Sequence, residues 1–143
     1  MTTRSIDSVS RAIARTARAA LLTLTLSTAA HAAEPVRVTE LLTQPLANVA
    51  GKEVTMITVD YAPGAADPIH RHNASAFVYV LEGVVEMQMK GGEKVTLRPG
   101  QTFYEDPDGI HLVGRNASDK EPAKFVVFLV KNPGTPIFIP VAP

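Results

Sequence analysis

Short apolar and β-branched runs, each cut off by a proline or glycine turn, constrain this chain more than any other feature. Residues 54–59 end at Ala62-Pro63-Gly64, and residues 77–81 run into Glu82-Gly83. Residues 85–90 alternate apolar and polar side chains before Gly91-Gly92, and residues 94–98 alternate again before Pro99-Gly100. Alternation with period two marks a strand buried on one face, and a Gly-Gly pair between two such runs is a hairpin signal. Residues 102–105 stop at Asp106-Pro107-Asp108-Gly109, and residues 111–113, 124–130 and 136–140 complete the series. About eight short strands, with turns roughly every 8–12 residues, predict an all-β sandwich or barrel. Only residues 39–50 leave room for a helical turn.

The N-terminus reads differently. Arg4, Arg11, Arg15 and Arg18 precede an apolar run over residues 19–26, and Ala30-His31-Ala32 follows. A basic region, a short apolar region and a small-residue cleavage site are the three parts of a secretory signal. The run is well short of the roughly 20 residues that span a bilayer, so a permanent membrane anchor is not expected. A first stretch rich in Arg, Ser and Ala also fits an organellar transit peptide. The expected organisation is a signal peptide over residues 1–32, a lead-in segment over 33–50 and a β-barrel domain over 51–143, with the mature protein periplasmic or secreted. Cleavage after Ala32 removes four of the 14 basic side chains and one of the 14 acidic ones, leaving a net charge near −3. Neither nucleic acid nor an anionic membrane surface is favoured as a partner by that balance. The chain has no cysteine, which rules out disulfides and a thioether-linked lipid.

Beyond the signal only three of the four histidines remain, His70, His72 and His111. Imidazole is the commonest protein metal ligand, and residues i and i+2 of a strand face the same side. A His-x-His pair met by a third histidine from a distant strand forms one face of a metal polyhedron. Arg71, between the two, is expected on the opposite face.

Gly64, His70-Arg71-His72 and Gly83, followed by Gly100 eleven positions before His111, resemble the two motifs of the cupin superfamily. The resemblance covers essentially the whole mature chain, and the layout is most similar to small single-domain cupins of the quercetin-dioxygenase-like group. It implies a double-stranded β-helix, the cupin jelly-roll barrel, with a divalent metal inside held by His70, His72 and His111. Fe(II) is favoured, with Mn, Ni, Cu or Zn behind it. The sequence departs from the family pattern where a fourth ligand, a glutamate, is expected, for Ala76 stands there.

Three neutral imidazoles leave the ion its full charge, which favours an anionic or chelating substrate. Glu105, ending the strand before the turn that delivers His111, is the best replacement ligand or a general base, and Tyr104 beside it is a second catalytic candidate. Met87 and Met89 alternate with polar residues and are expected in the core, as are Phe77, Tyr79, Phe103, Tyr104, Phe125 and Phe128. Asn116 is expected to serve the turn after the His111 strand.

Three functions follow from these residues. The leading one is a metal-dependent, dioxygenase-like oxidoreductase acting on a small chelating anionic substrate. The second is a non-catalytic module that binds a small ligand or metal, and the third a structural protein without metal. An acid or base pointing into the barrel beside the histidines favours the enzyme. The apolar tail Ile137-Phe138-Ile139 would make a sticky free edge, so a homodimer is expected.

Overall fold

A computed structural model describes residues 35–142, where ten strands and no helix are found. They are β1 (Val36–Pro45), β2 (Glu53–Tyr61), β3 (His70–Arg71), β4 (Ala74–Glu82), β5 (Val85–Met89), β6 (Val95–Leu97), β7 (Thr102–Glu105), β8 (Ile110–Asn116), β9 (Ala123–Lys131) and β10 (Ile139–Pro140). The expected signal peptide, residues 1–32, lies outside the described residues. Two antiparallel five-stranded sheets result, with strand orders β1-β2-β9-β4-β7 and β10-β3-β8-β5-β6. This is the all-β architecture expected from the turn spacing, in the jelly-roll form that the cupin resemblance implies.

Alternation sorts each strand between core and surface. On β2, Thr55, Ile57, Val59 and Tyr61 are buried, while Val54, Met56 and Thr58 between them are half-exposed. On β4, Ala76, Val78 and Val80 are buried, and on β9 Phe125, Val127 and Leu129 are. Val85 and Met87 of β5 and Leu97 of β6 join them from the second sheet in one core cluster. Each fully buried aliphatic or aromatic side chain of this kind contributes roughly 1.5–3 kcal/mol.

Three expectations change. Residues 36–45 form a strand rather than a helical turn, because β-branched Val36, Val38, Thr39 and Thr43 pair with β2 from Val36↔Tyr61 to Pro45↔Glu53. The last strand shrinks to Ile139–Pro140, which pairs with β3 at the edge of the second sheet, and Ile137 and the partly exposed Phe138 before it line a cavity. Phe77, Tyr79, Tyr104 and Phe128 are exposed rather than in the core. Their strand parity points them outward, and register sets Phe128, Phe77 and Tyr104 side by side on the outer face.

The turn after β8 is tied down by Asn116, which is buried. Its Nδ2 donates to the Ala62 carbonyl at 3.1 Å and the Glu121 carbonyl at 2.8 Å, and its Oδ1 accepts from the Ser118 N–H at 2.9 Å. Gly83, with φ of +71°, packs so tightly that an added Cβ would lie 2.4 Å from the Pro122 carbonyl oxygen. Only glycine satisfies both demands.

Candidate metal centre

Both sheets contribute to one cluster of ionisable side chains. From the second sheet, β3 and β8 pair with His70 directly opposite His111. His72 follows β3, and its carbonyl is anchored by the Asp108 N–H at 2.9 Å. Glu105, the last residue of β7, comes from the first sheet. All four side chains are buried. Arg71 points the other way, as expected, and pairs with Asp108 at the surface.

The donor atoms of His70, Glu105 and His111 lie within 4.8 Å of one another. Glu105 Oε2 is 3.2 Å from His72 Nε2 and 3.4 Å from His111 Nδ1. Ring centroids of His70 are 4.8 Å from His72 and 4.9 Å from His111. The structure therefore brings together the three predicted histidines and Glu105, the carboxylate expected from the sequence as replacement ligand or base.

Register explains the place of Glu105. Ala76, the position where the family pattern puts its glutamate, is the direct cross-strand partner of Glu105 and is fully buried. Directly opposed residues of an antiparallel pair project to the same face with Cβ atoms about 4.5–5.5 Å apart. The carboxylate has thus moved sideways by one strand, and the small alanine leaves room for it.

Hydrogen bonds prepare the rings for a cation. His70 Nδ1 donates to the Pro68 carbonyl at 2.9 Å, and His72 Nδ1 donates to the Ile137 carbonyl. A proton committed to a carbonyl at Nδ1 leaves the Nε2 lone pair as the ligand atom. Both ring nitrogens of His111 and Glu105 Oε2 are buried without a hydrogen-bond partner among the described residues. Buried polar atoms are almost always satisfied, so an orphaned carboxylate oxygen beside an orphaned His111 nitrogen fits a divalent cation between them.

Electrostatics agree for two of the three rings. Burial holds His70 and His111 below the ordinary imidazole range, hence neutral and able to ligate. Burial also pulls His72 down, but the adjacent Glu105 carboxylate and the Ile137 carbonyl outweigh it and raise the ring overall. For Glu105, burial favours the neutral acid, yet His72, His111 and His70 together lower it below the usual range.

The cluster opens on a cavity of about 500 Å³. Ile57, Val59, Phe125 and Val127 form its apolar wall, and Ile137 and Phe138 close it from the C-terminal segment. Phe138 stacks on His70 with ring centroids 4.5 Å apart.

Tyr104 is not part of this site. Its neighbour Glu105 faces inward, so Tyr104 faces out, exposed, with its hydroxyl 3.3 Å from Ser75 Oγ. Asp67 and Tyr61 are at the site and were not singled out from the sequence. Asp67 lines the cavity, and the Tyr61 hydroxyl donates to its Oδ2. An Asp-Pro step three residues before His70 was the only available signal, because Tyr61 reaches Asp67 through tertiary packing.

Known proteins agree with this architecture. A family model for the Cupin domain matches residues 57–129. The cupin-domain-containing oxidoreductase srdB of Neurospora crassa is 36% identical over 72 residues, which are 50% of this chain and 36% of that protein. The chain thus spans little more than a third of the curated relative it matches. A structure from work on the mechanism of oxalate oxidase superposes with a TM-score of 0.57 at 25% identity, over 78% of this chain and 57% of that one. The cupin domain of an XRE family transcriptional regulator from Enterobacter cloacae does so with a TM-score of 0.53 at 26% identity, over 70% of this chain and 99% of that one.

Proposed function

This chain belongs to the Cupin domain family, and from that premise we propose that it is a metal-dependent, dioxygenase-like oxidoreductase acting on a small chelating substrate. The ligands are His70, His72, His111 and Glu105. The ion is divalent, with Fe(II) ahead of Mn, Ni, Cu and Zn, since mixed imidazole and carboxylate sets suit non-haem Fe(II). One observation carries the reading: ligand atoms of His70, Glu105 and His111, buried and from separate strands, converge within 4.8 Å. When bound, such an ion supplies Lewis-acid polarisation of a substrate oxygen and, if redox-active, couples the substrate to O₂.

The protein's own part is positioning and exclusion of water. The Pro68 and Ile137 carbonyls fix the tautomers of His70 and His72. Phe138 holds the His70 ring in place by stacking, and the apolar wall keeps bulk water from the cluster. With Glu105 in the ligand set the cluster carries one compensating negative charge, so the strong bias towards anionic substrates expected of three bare imidazoles is reduced.

The sequence features at the N-terminus support a proposal of export to the periplasm or cell exterior, which sequencing the mature N-terminus tests. Elemental analysis of protein from its native compartment, followed by oxygen-uptake screening with catechols, flavonols, diketones and thiols, tests the activity. One divalent ion per chain and metal-dependent oxygen consumption are expected. Full metal content in His70→Ala refutes the ligand set. Metal binding without turnover of any substrate points to the second reading, a ligand-binding module, which the largely apolar cavity also suits.

A further inference from the structure

Among the described residues, Asp67 is the one ionisable group lining the cavity that the proposed ligand set does not use. It is held at two points. Its backbone N–H donates to the Gly114 carbonyl at 2.8 Å, and its Oδ2 accepts from the Tyr61 hydroxyl, which is almost wholly buried. Oδ1 has no hydrogen-bond partner among the described residues and belongs to a side chain that lines the cavity.

Gly114 shows how close this carboxylate comes to the cluster. A Cβ there would lie 3.1 Å from His111 Cε1, 3.2 Å from Asp67 Oδ2 and 3.2 Å from the Tyr61 hydroxyl. Three groups from different segments meet over a residue whose missing side chain makes room for them. Tyr61 has only one proton to give, so it commits Oδ2 and leaves Oδ1 as an oriented acceptor.

The rest of the lining sets the charge of what can enter. Among the described residues no lysine or arginine lines the cavity, and beyond the histidines its ionisable groups are Asp67 and Glu105. A divalent ion balances those two carboxylates, so the loaded cavity offers no net attraction to an anion or a cation. Placing a charged group there incurs desolvation without a partner. An uncharged, mainly apolar molecule avoids that penalty, and beyond the atoms that reach the ion its polar requirement is a donor opposite Oδ1.

We propose that Asp67, oriented by Tyr61, is the specificity-determining hydrogen-bond acceptor of the cavity and selects an uncharged, mainly apolar substrate carrying a hydroxyl donor. The inference rests on the reading of this cavity as the substrate site and not on which ion is held there.

Four probes of one shape test it: 4-tert-butylphenol, its methyl ether, 4-tert-butylbenzoate and 4-tert-butylbenzylamine. Their dissociation constants are measured by calorimetry on the full chain as purified and after chelation. The phenol should bind about tenfold or more tighter than the ether, as expected of a hydrogen bond to a charged acceptor, and tighter than the benzoate or the amine. Asp67→Asn should collapse or reverse the phenol-over-ether preference, because Tyr61 keeps the amide oxygen and the NH₂ group then faces the cavity. Equal binding of phenol and ether by the unsubstituted chain overturns the proposal, as does preferred binding of the benzoate or the amine by the metal-loaded chain. That comparison needs no variant, so it holds even where Asp67→Asn fails to fold. Asp67 is not a proposed ligand, so its donor preference should survive chelation. A chain that takes up no divalent ion yet keeps the preference refutes only the metal reading, whereas full metal content with no preference refutes only this one.

Discussion

Exchanging Glu105 for glutamine keeps the size of the side chain and one carbonyl oxygen while removing its charge. The magnitude follows from where the group sits. Two unit charges about 4 Å apart at an effective dielectric of about 20 are worth roughly 4 kcal/mol. A divalent ion beside a carboxylate buried with three imidazoles is held at least that strongly. Each 1.36 kcal/mol or so is a decade, so metal affinity should fall by about 10³-fold. Competition with a chromophoric chelator reads this directly, with thermal unfolding as the check on folding. The cross-strand pairing of Ala76 with Glu105 adds a second arm. Glu105→Ala combined with Ala76→Glu moves the carboxylate back across one strand and should recover at least about tenfold in affinity over Glu105→Ala alone, a non-additivity typical of residues in contact. Ala76→Glu by itself should destabilise the fold by roughly 1–3 kcal/mol, because that position is already fully packed. A Glu105→Gln protein that binds metal within about threefold of the unsubstituted chain, a difference under about 1 kcal/mol, refutes the carboxylate's place in the set.

Asn116→Ala removes three hydrogen bonds that join separate segments, and should lower stability by about 3 kcal/mol and the melting temperature by upwards of about 10 °C, as read by thermal unfolding. In metal-free protein the lowered Glu105 contributes stability above its unfolded value of 4.5, lost as pH falls through the folded value, while the raised His72 contributes below its unfolded value of 6.5, lost as pH rises through the folded one. The advantage of the unsubstituted chain over Glu105→Gln in urea unfolding should therefore peak between about pH 4.5 and 6.5, and a difference flat with pH refutes the coupling. We propose that two copies pair through the outer face of the first sheet, where register lines up Leu42, Met56, Phe128, Phe77 and Tyr104 across all five strands. Of the nearby charges, Arg37 and Lys124 share Asp60, which leaves one net positive charge per face for the apolar contact to outweigh. Light scattering should show a dimer that Phe77→Glu with Phe128→Glu converts to a monomer, and a monomeric unsubstituted chain at micromolar concentration refutes the pairing.

The local signals of this chain determined its architecture. Period-two alternation and the Pro and Gly turns fixed the β class and most strand positions, because which side chain faces the core is a local property of an extended backbone. The His-x-His spacing and His111 likewise named three members of the buried cluster, since one strand face and one turn sufficed to aim them. Partnership across strands was decided by the tertiary structure alone. Glu105 stands in for the carboxylate missing at Ala76 only because β7 pairs with β4 in that register, and Asp67 meets Tyr61 and His111 only because a glycine at 114 lets three segments close together. The aromatic residues make the same point: their hydrophobicity suggested a core, but parity on β4, β7 and β9 sent Phe77, Tyr104 and Phe128 outward and kept Phe125 in. Composition records what a side chain prefers, whereas register between distant strands settles what it touches.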